Sequence, residues 1–220
     1  MKNETIRVGI VGAGSNTTGL HIPRLQAING VEVVSVANRS LKSSQRVADK
    51  FNIPKVYENW ENLIASPDTN AICIGTWPYM HHTLVLAALE HNKHVMTEAR
   101  MAMNSAEAKE MLNAARQKPN LVTQVVPAPF IDTVESTIKE MILNGYLGDI
   151  LSVDFIGGSL GAPHAGFLEQ NGPMHWRYDR DLSGYNVMLM GAWYECLMRL
   201  IGPASSINAI TRTHAASRID

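Results

Sequence analysis

Short apolar runs alternate with stretches of helical spacing through the first half of this 220-residue chain. "IRVGIVG", "VEVVSVAN", "KVYE", "AICIGT", "HVMTE" and "LVTQVV" are rich in β-branched residues and are predicted as strands. "HIPRLQAI", "LKSSQRVADKF", "NWENLIAS", "HHTLVLAALEHN" and "SAEAKEMLNAARQK" lie between them with helical spacing, and are predicted as helices. Continuous apolar strands separated by helices imply an α/β fold whose parallel sheet is covered on both faces, with right-handed crossovers. Residues 1–122 are therefore expected to form one doubly wound domain.

After Pro127 the rhythm changes. A helix is predicted at "DTVESTIKEMILNGYLG", a strand at "ILSVDFIGG", a second helix at "VMLMGAWYECLMRLIG" and a further strand at "SSINAITRT". Between the first strand and the second helix runs a long polar stretch, "SLGAPHAGFLEQNGPMHWRYDRDLSGYN". A segment of that length without periodicity inside a compact protein is functional or disordered, and Trp176, Tyr178 and Tyr185 argue against disorder. Residues 123–220 are expected to be a second α/β domain for substrate binding and oligomerisation. Its open sheet must find a partner or expose a face, so a homo-oligomer is expected.

Composition narrows the function. A formal net charge of −1 supplies no basic footprint for a nucleic acid. No segment is long and apolar enough for a membrane span, and the N-terminus lacks the apolar region of a signal peptide. The two cysteines, Cys73 and Cys196, form neither a CxxC pair nor a disulfide framework, which fits the reducing cytoplasm. No metal site is expected, because adjacent histidines such as His81 and His82 on a helix point about 100° apart.

Candidate chemistry begins directly after the first strand. Gly12 and Gly14 in "VGIVGAGSNTTGLHIP" permit a tight turn and a close approach of backbone to a pyrophosphate. Ser15, Asn16 and Thr17 then open a helix whose N-terminal amides favour an anion. The third glycine of GxGxxG is missing: Thr17 occupies its place and Gly19 comes two residues late. In the first βαβ unit this turn reads as a dinucleotide site, making the first domain Rossmann-like. The second strand ends in Asn38, Arg39 and Ser40, a cation with neutral donors and no carboxylate, which favours the 2′-phosphate of NADP over the free ribose of NAD. A carboxylate and a guanidinium, Glu98 and Arg100, stand at the mouth of the fifth strand, where open α/β sheets bind ligands.

These residues resemble the Gfo/Idh/MocA oxidoreductases, which act mostly on sugars, inositols and their derivatives. The likeness runs in order through "VGIVGAGS", "HIPRLQAINGVEVVSVANRS", "YENWENLIASPDTNAICIGTWPYMHHTLVLAALEHNKHV" and "LGDILSVDF". It implies an N-terminal Rossmann domain followed by an α/β domain whose open sheet often serves as an oligomer interface. By that resemblance Thr76, Trp77, Pro78 and His81 line the nicotinamide ribose and ring, and Glu98 belongs to the family's E-K-P tripeptide. Here that tripeptide reads Glu98, Ala99, Arg100, so the lysine that assists proton transfer is absent. The family's second catalytic pattern falls on "SGYNVMLMGAW", with Leu189 at its aspartate and Trp193 at its histidine. Family members are considerably longer, so the second domain is expected to be incomplete.

The expected function is an NADP-dependent oxidoreductase of a variant subgroup. It would move hydride between nicotinamide and a hydroxyl- or carbonyl-bearing carbon of a small polyol-like substrate. With the lysine gone, His175 and Tyr185 are the candidates for the proton, and Arg100, Arg177, Arg180 and Asn186 for holding substrate hydroxyls. The rival is an NADP(H)-binding sensor that kept the pocket and lost turnover. A lyase or glycosidase with transient oxidation is a third possibility that sequence does not separate from the first.

Overall fold

The computed structural model describes residues 5–127, 134–154, 175–184 and 188–210. These fall into two compact units, one built from the described residues of Met1–Val126 and Arg180–Tyr185, the other from those of Pro127–Asp179 and Asn186–Asp220.

The first unit is a six-stranded sheet of β1 (Ile6–Val11), β2 (Val31–Ala37), β3 (Lys55–Val56), β4 (Ala71–Ile74), β5 (His94–Thr97) and β6 (Thr123–Val125). Every pairing is parallel, and the order is β3-β2-β1-β4-β5-β6. The order reverses between β1 and β4, which opens the crevice at the carboxyl ends where ligands enter such sheets. The strands are linked through α1 (Ile22–Gln26), α2 (Leu41–Phe51), α3 (Trp60–Ala65), α4 (His81–Glu90) and α5 (Ser105–Gln117). All eleven elements fall within the stretches expected of them.

Side-chain alternation along the strands sends apolar groups to both faces, as parallel sheets require. Val11, Ile72, Ile74 and Val95 pack with Leu63, Ile64, Leu84, Leu89 and Met111 on one face. Val8, Ile10, Val33, Val36 and Cys73 pack with Ile22, Val47, Ala48 and Ile53 on the other. Burying each such aliphatic side chain stabilises the fold by about 1.5–3 kcal/mol. Polar residues fix where the helices begin. The side chains of Ser40, Asn59 and Asn104 accept from the amides of Ser43, Asn62 and Glu107, at 3.3, 2.8 and 3.0 Å. Each satisfies one orphan donor of a first turn.

In the second unit α6 (Glu135–Leu143) and α8 (Met188–Ile201) meet, and Arg199 of α8 lies 3.2 Å from Glu135 of α6. The short α7 (Arg180–Ser183) belongs to the first unit. Of the two strands expected beyond β6, residues 150–154 and 205–210 belong to no strand, and residues 155–158 and 211–213 lie outside the described residues. Leu151 is 93% exposed and Ile210 fully so. A β-branched run becomes a strand only where a neighbour takes its amides and carbonyls, and no described residue pairs with either segment.

Candidate dinucleotide site

At the carboxyl ends of β1, β2 and β4 lies a cleft of about 560 Å³, lined by Gly12, Ala13, Gly14, Asn38, Arg39, Ser43, Thr76 and Trp77, with Glu58, Trp60, Glu61 and Tyr79 along its flank. Its floor is the glycine turn. Gly12 has φ +83°, and a Cβ there would fall 2.6–2.9 Å from atoms of Thr76, so no other residue fits. At Gly14 a Cβ would meet no protein atom closer than 4.0 Å. Glycine there keeps space open in the cleft.

The packing role of the missing third glycine has moved to another strand. Thr17 is buried and donates from Oγ1 to the Gly12 carbonyl at 3.1 Å. Room for its side chain comes from Gly75, just past β4, where a Cβ would stand 1.9 Å from Thr17 Oγ1 and 2.4 Å from the Gly12 oxygen. Helix and sheet still approach closely, with the glycine on the sheet side. At Gly19 a Cβ would meet nothing within 4 Å, so that residue is no substitute.

At the end of β2, Asn38 Oδ1 accepts from the Ala13 amide at 2.6 Å, so this residue braces the glycine turn. Ser40 caps α2, and it is Ser43, one turn on, that lines the cleft. Arg39 lines it too, its guanidinium 5.3 Å from the centroid of the Trp77 ring. Among the described residues, the buried Thr76 Oγ1 has no hydrogen-bond partner.

Glu98 follows β5, and its Oε1 takes two side chains from the first helix: Asn16 Nδ2 donates to it, and His21 Nε2 lies 2.5 Å away. Residues five apart point about 140° apart in an α-helix. Here a π turn over Thr17–His21 intervenes, and the wider turn lets both reach one oxygen. Burial raises the Glu98 carboxyl, but His21, Asn16 and the Ala99 amide outweigh it and hold the group below the ordinary carboxylate range. His21 escaped the sequence reading because its partner lies 77 positions away and no local motif joins them.

His81 is wholly buried, with Nδ1 2.6 Å from the Arg100 carbonyl and Nε2 3.0 Å from that of Thr76. Burial pushes its imidazole below the usual histidine range, against the two carbonyls, which favour the cation. The ring braces the exits of β4 and β5, and neither it nor the buried Pro78 lines the cleft. Ser15, Asn16, Thr17 and Ser40 do not line it either. The Arg100 guanidinium donates to Ser183 Oγ, tying α7 to the β5 exit within the first unit. His175 lies in the second unit, where its Nδ1 accepts from the Arg177 amide at 3.2 Å and the Arg177 guanidinium stacks 4.3 Å from the Trp176 ring. Tyr185, Asn186 and the side chain of Leu189 lie outside the described residues.

Cys73 is buried in β4, and its thiol is pushed up to about 12, first by burial and then by the Glu98 carboxylate. The thiolate is the nucleophile, so iodoacetamide at neutral pH should leave Cys73 unmodified in the native protein and alkylate it after denaturation. Peptide mass spectrometry reads the adduct, and fast native labelling would contradict this burial.

A glycine turn at the sheet's switch point and open space at Gly14 fit a dinucleotide. The profile of the Gfo/Idh/MocA family, described as "Oxidoreductase family, NAD-binding Rossmann fold", matches residues 6–125, more than half of the chain. The chain belongs to this family. It is 28% identical to an uncharacterized oxidoreductase of Synechocystis sp. over 227 aligned positions, covering 100% of this chain and 57% of that protein. It is 35% identical to trans-1,2-dihydrobenzene-1,2-diol dehydrogenase of Bos taurus, covering 66% of this chain and 43% of that one. Among solved structures, biliverdin reductase from Synechocystis, crystallised with biliverdin and NADP+, superposes with a TM-score of 0.71 at 24% identity, over 92% of this chain and 60% of its own. The chain thus spans about half the length of the curated relatives it matches. Among the described residues, no helix is long and apolar enough to cross a membrane, and no three His, Cys, Asp or Glu side chains cluster to hold a metal.

Proposed function

We propose that this protein is an NADP-dependent cytoplasmic oxidoreductase acting on a hydroxyl- or carbonyl-bearing carbon of a small polyol or cyclic diol. The observation that carries the proposal is the cleft itself, where Gly14 leaves space at the turn after β1 and Arg39 stands at the β2 end. The nicotinamide, when bound, supplies hydride chemistry. Gly12, Ala13 and Gly14 present backbone to the pyrophosphate, and Arg39 with Ser43 faces the adenosine phosphate. Glu98 accepts hydroxyl hydrogen bonds of the second ribose. Arg100, already gripping Ser183, is assigned to holding α7 rather than a substrate. The diol dehydrogenase among the relatives supports this choice of substrate class.

His175 and Tyr185 are assigned to proton transfer, with Arg177 and Asn186 holding substrate hydroxyls. On any substrate found, His175→Ala or Tyr185→Phe should cut kcat by about 10²–10⁴ while leaving NADPH affinity unchanged. Full kcat in both variants would remove the assignment. A homo-oligomer is also part of the proposal, now resting on the exposed apolar side chains Leu143, Tyr146 and Leu147 rather than on an open sheet.

The deciding experiment is a screen of vicinal diols, inositols and keto sugars, followed by the absorbance of reduced nicotinamide. Turnover of one class establishes the activity. Tight NADPH binding with no turnover of any class would overturn it in favour of a sensor, the outcome to which Ala99, standing in place of the family's lysine, would then point.

A further inference from the structure

The flank of the cleft carries groups that a phosphate site does not call for. Tyr57 donates its amide to the Val36 carbonyl at 3.0 Å, which ties the turn after β3 to the end of β2, close in sequence to Arg39. That turn brings Glu58, Asn59 and Glu61 into the lining of the cleft. Both glutamates are exposed, and among the described residues neither carboxylate has an ion-pair or hydrogen-bond partner. Asn59 caps α3, its Oδ1 accepting from the Asn62 amide at 2.8 Å, so the two glutamates flank a fixed point and the Asn59 Nδ2 keeps its hydrogens for another acceptor. Two unpaired carboxylates weaken the hold of a cleft on a polyanion unless some part of the ligand gives them a hydrogen.

In NADP the 2′-phosphate and the base stand on adjacent carbons of one ribose. A ligand whose phosphate meets Arg39 therefore carries its base within the same cleft, where Trp60, Trp77 and Tyr79 supply aromatic surface for a flat ring. On that dinucleotide reading, we propose that Glu58 and Glu61 select adenine by accepting from its 6-amino group, with Asn59 Nδ2 donating to a neighbouring ring nitrogen. Adenine presents a donor at position 6 beside an acceptor at N1. Hypoxanthine reverses both, with a carbonyl at position 6 and a hydrogen on N1. A carboxylate can only accept, so it meets the amino group with attraction and the carbonyl with repulsion. The same two charges repel the phosphates of either ligand alike, whereas the amino contact belongs to adenine alone.

Calorimetry with NADP+ and with nicotinamide hypoxanthine dinucleotide phosphate isolates that contact, because the two ligands carry the same phosphates and the same net charge. The native protein should bind NADP+ about tenfold more tightly, the low end for a hydrogen bond to a charged group, since both carboxylates border solvent. Added salt should move both affinities together and leave their ratio in place. In the double variant Glu58→Gln, Glu61→Gln the two ligands should bind alike, because a glutamine amide can donate to a carbonyl as readily as accept from an amine. Its melting temperature should stay native, as neither carboxylate has a described partner to lose. Asn59→Asp keeps an N-cap acceptor and removes the donor, so it should lower the ratio as well. Equal binding of the two ligands by the native protein, or an unchanged ratio in the double variant, would overturn the proposal while leaving the dinucleotide reading intact. A loss of NAD+ affinity alone in that variant would overturn it too, giving the carboxylates to ribose hydroxyls. Failure of the native protein to bind NADP+, NAD+ or the analogue would overturn the cofactor reading and this inference with it.

Discussion

Gly75→Ala is expected to lower the melting temperature by roughly 5–10 °C and to weaken NADP(H) binding more than tenfold. The added methyl would sit 1.9 Å from Thr17 Oγ1 and 2.4 Å from the Gly12 carbonyl oxygen. One obstacle is a buried side chain and the other is backbone, so relief means moving the glycine turn away from β4. Overpacking of this kind costs about 1–3 kcal/mol, and in a chain of this size each kcal/mol lowers the melting point by about 2–4 °C. Binding suffers because the turn that moves is the floor of the cleft. Gly14→Ala provides the contrast. Its Cβ meets no protein atom within 4.0 Å, so its melting point should stay close to native while affinity for either dinucleotide falls. Thermal melts and calorimetry on both variants separate packing from ligand space. Native affinity in Gly75→Ala would show that the turn does not need this contact.

The same pair of glycines shows what was legible in the sequence. The turn could be read because its demand is local: Gly12 must adopt positive φ directly after β1. The role of Gly75 could not, because it depends on β4 lying beside β1, a neighbour relation set by the crossover and not by spacing. Strands and helices of the first unit were legible for a related reason. Each is a continuous apolar run or an amphipathic helix, and both faces of the sheet bury what the pattern offers. Residues 150–154, the described part of an expected strand, do not follow that logic, since Ile150, Leu151 and Val153 offer apolar groups for which no described neighbour supplies a ladder. Arg39 and Glu98 could be read as single charges at strand ends, and Arg39 lines the cleft. Their partners could not: Trp77 reaches Arg39 from the end of β4, and His21 reaches Glu98 through a π turn that helical periodicity does not foresee. Pattern reading locates groups along the chain, whereas sheet order decides which of them meet.

Cofactor preference is where those meetings have the largest measurable effect on binding. NADP(H) is expected to bind about ten- to a hundredfold more tightly than NAD(H), and Arg39→Ala should remove most of that difference by weakening NADP(H) alone. A charge-assisted hydrogen bond to a phosphate contributes about 1.5–3 kcal/mol, and each 1.4 kcal/mol is a factor of ten. Two features of the cleft act in opposite directions on this figure. Trp77 holds the guanidinium over its ring at 5.3 Å, so part of the cost of ordering Arg39 is met before the ligand arrives. Glu58 and Glu61 line the same cleft and repel a phosphate, which should make the preference fall as salt is added by less than an exposed arginine alone would give. Trp77→Ala should therefore keep the preference but shrink it about two- to fivefold, the effect of an exposed cation–π contact. Calorimetric titration of both cofactors into the native protein and these two variants measures every term. If NAD(H) and NADP(H) bind the native protein equally, the charge at the end of β2 does not read the 2′-phosphate. If Arg39→Ala weakens both cofactors alike, Arg39 shapes the cleft and the preference has another source, with Ser43 the next residue to change.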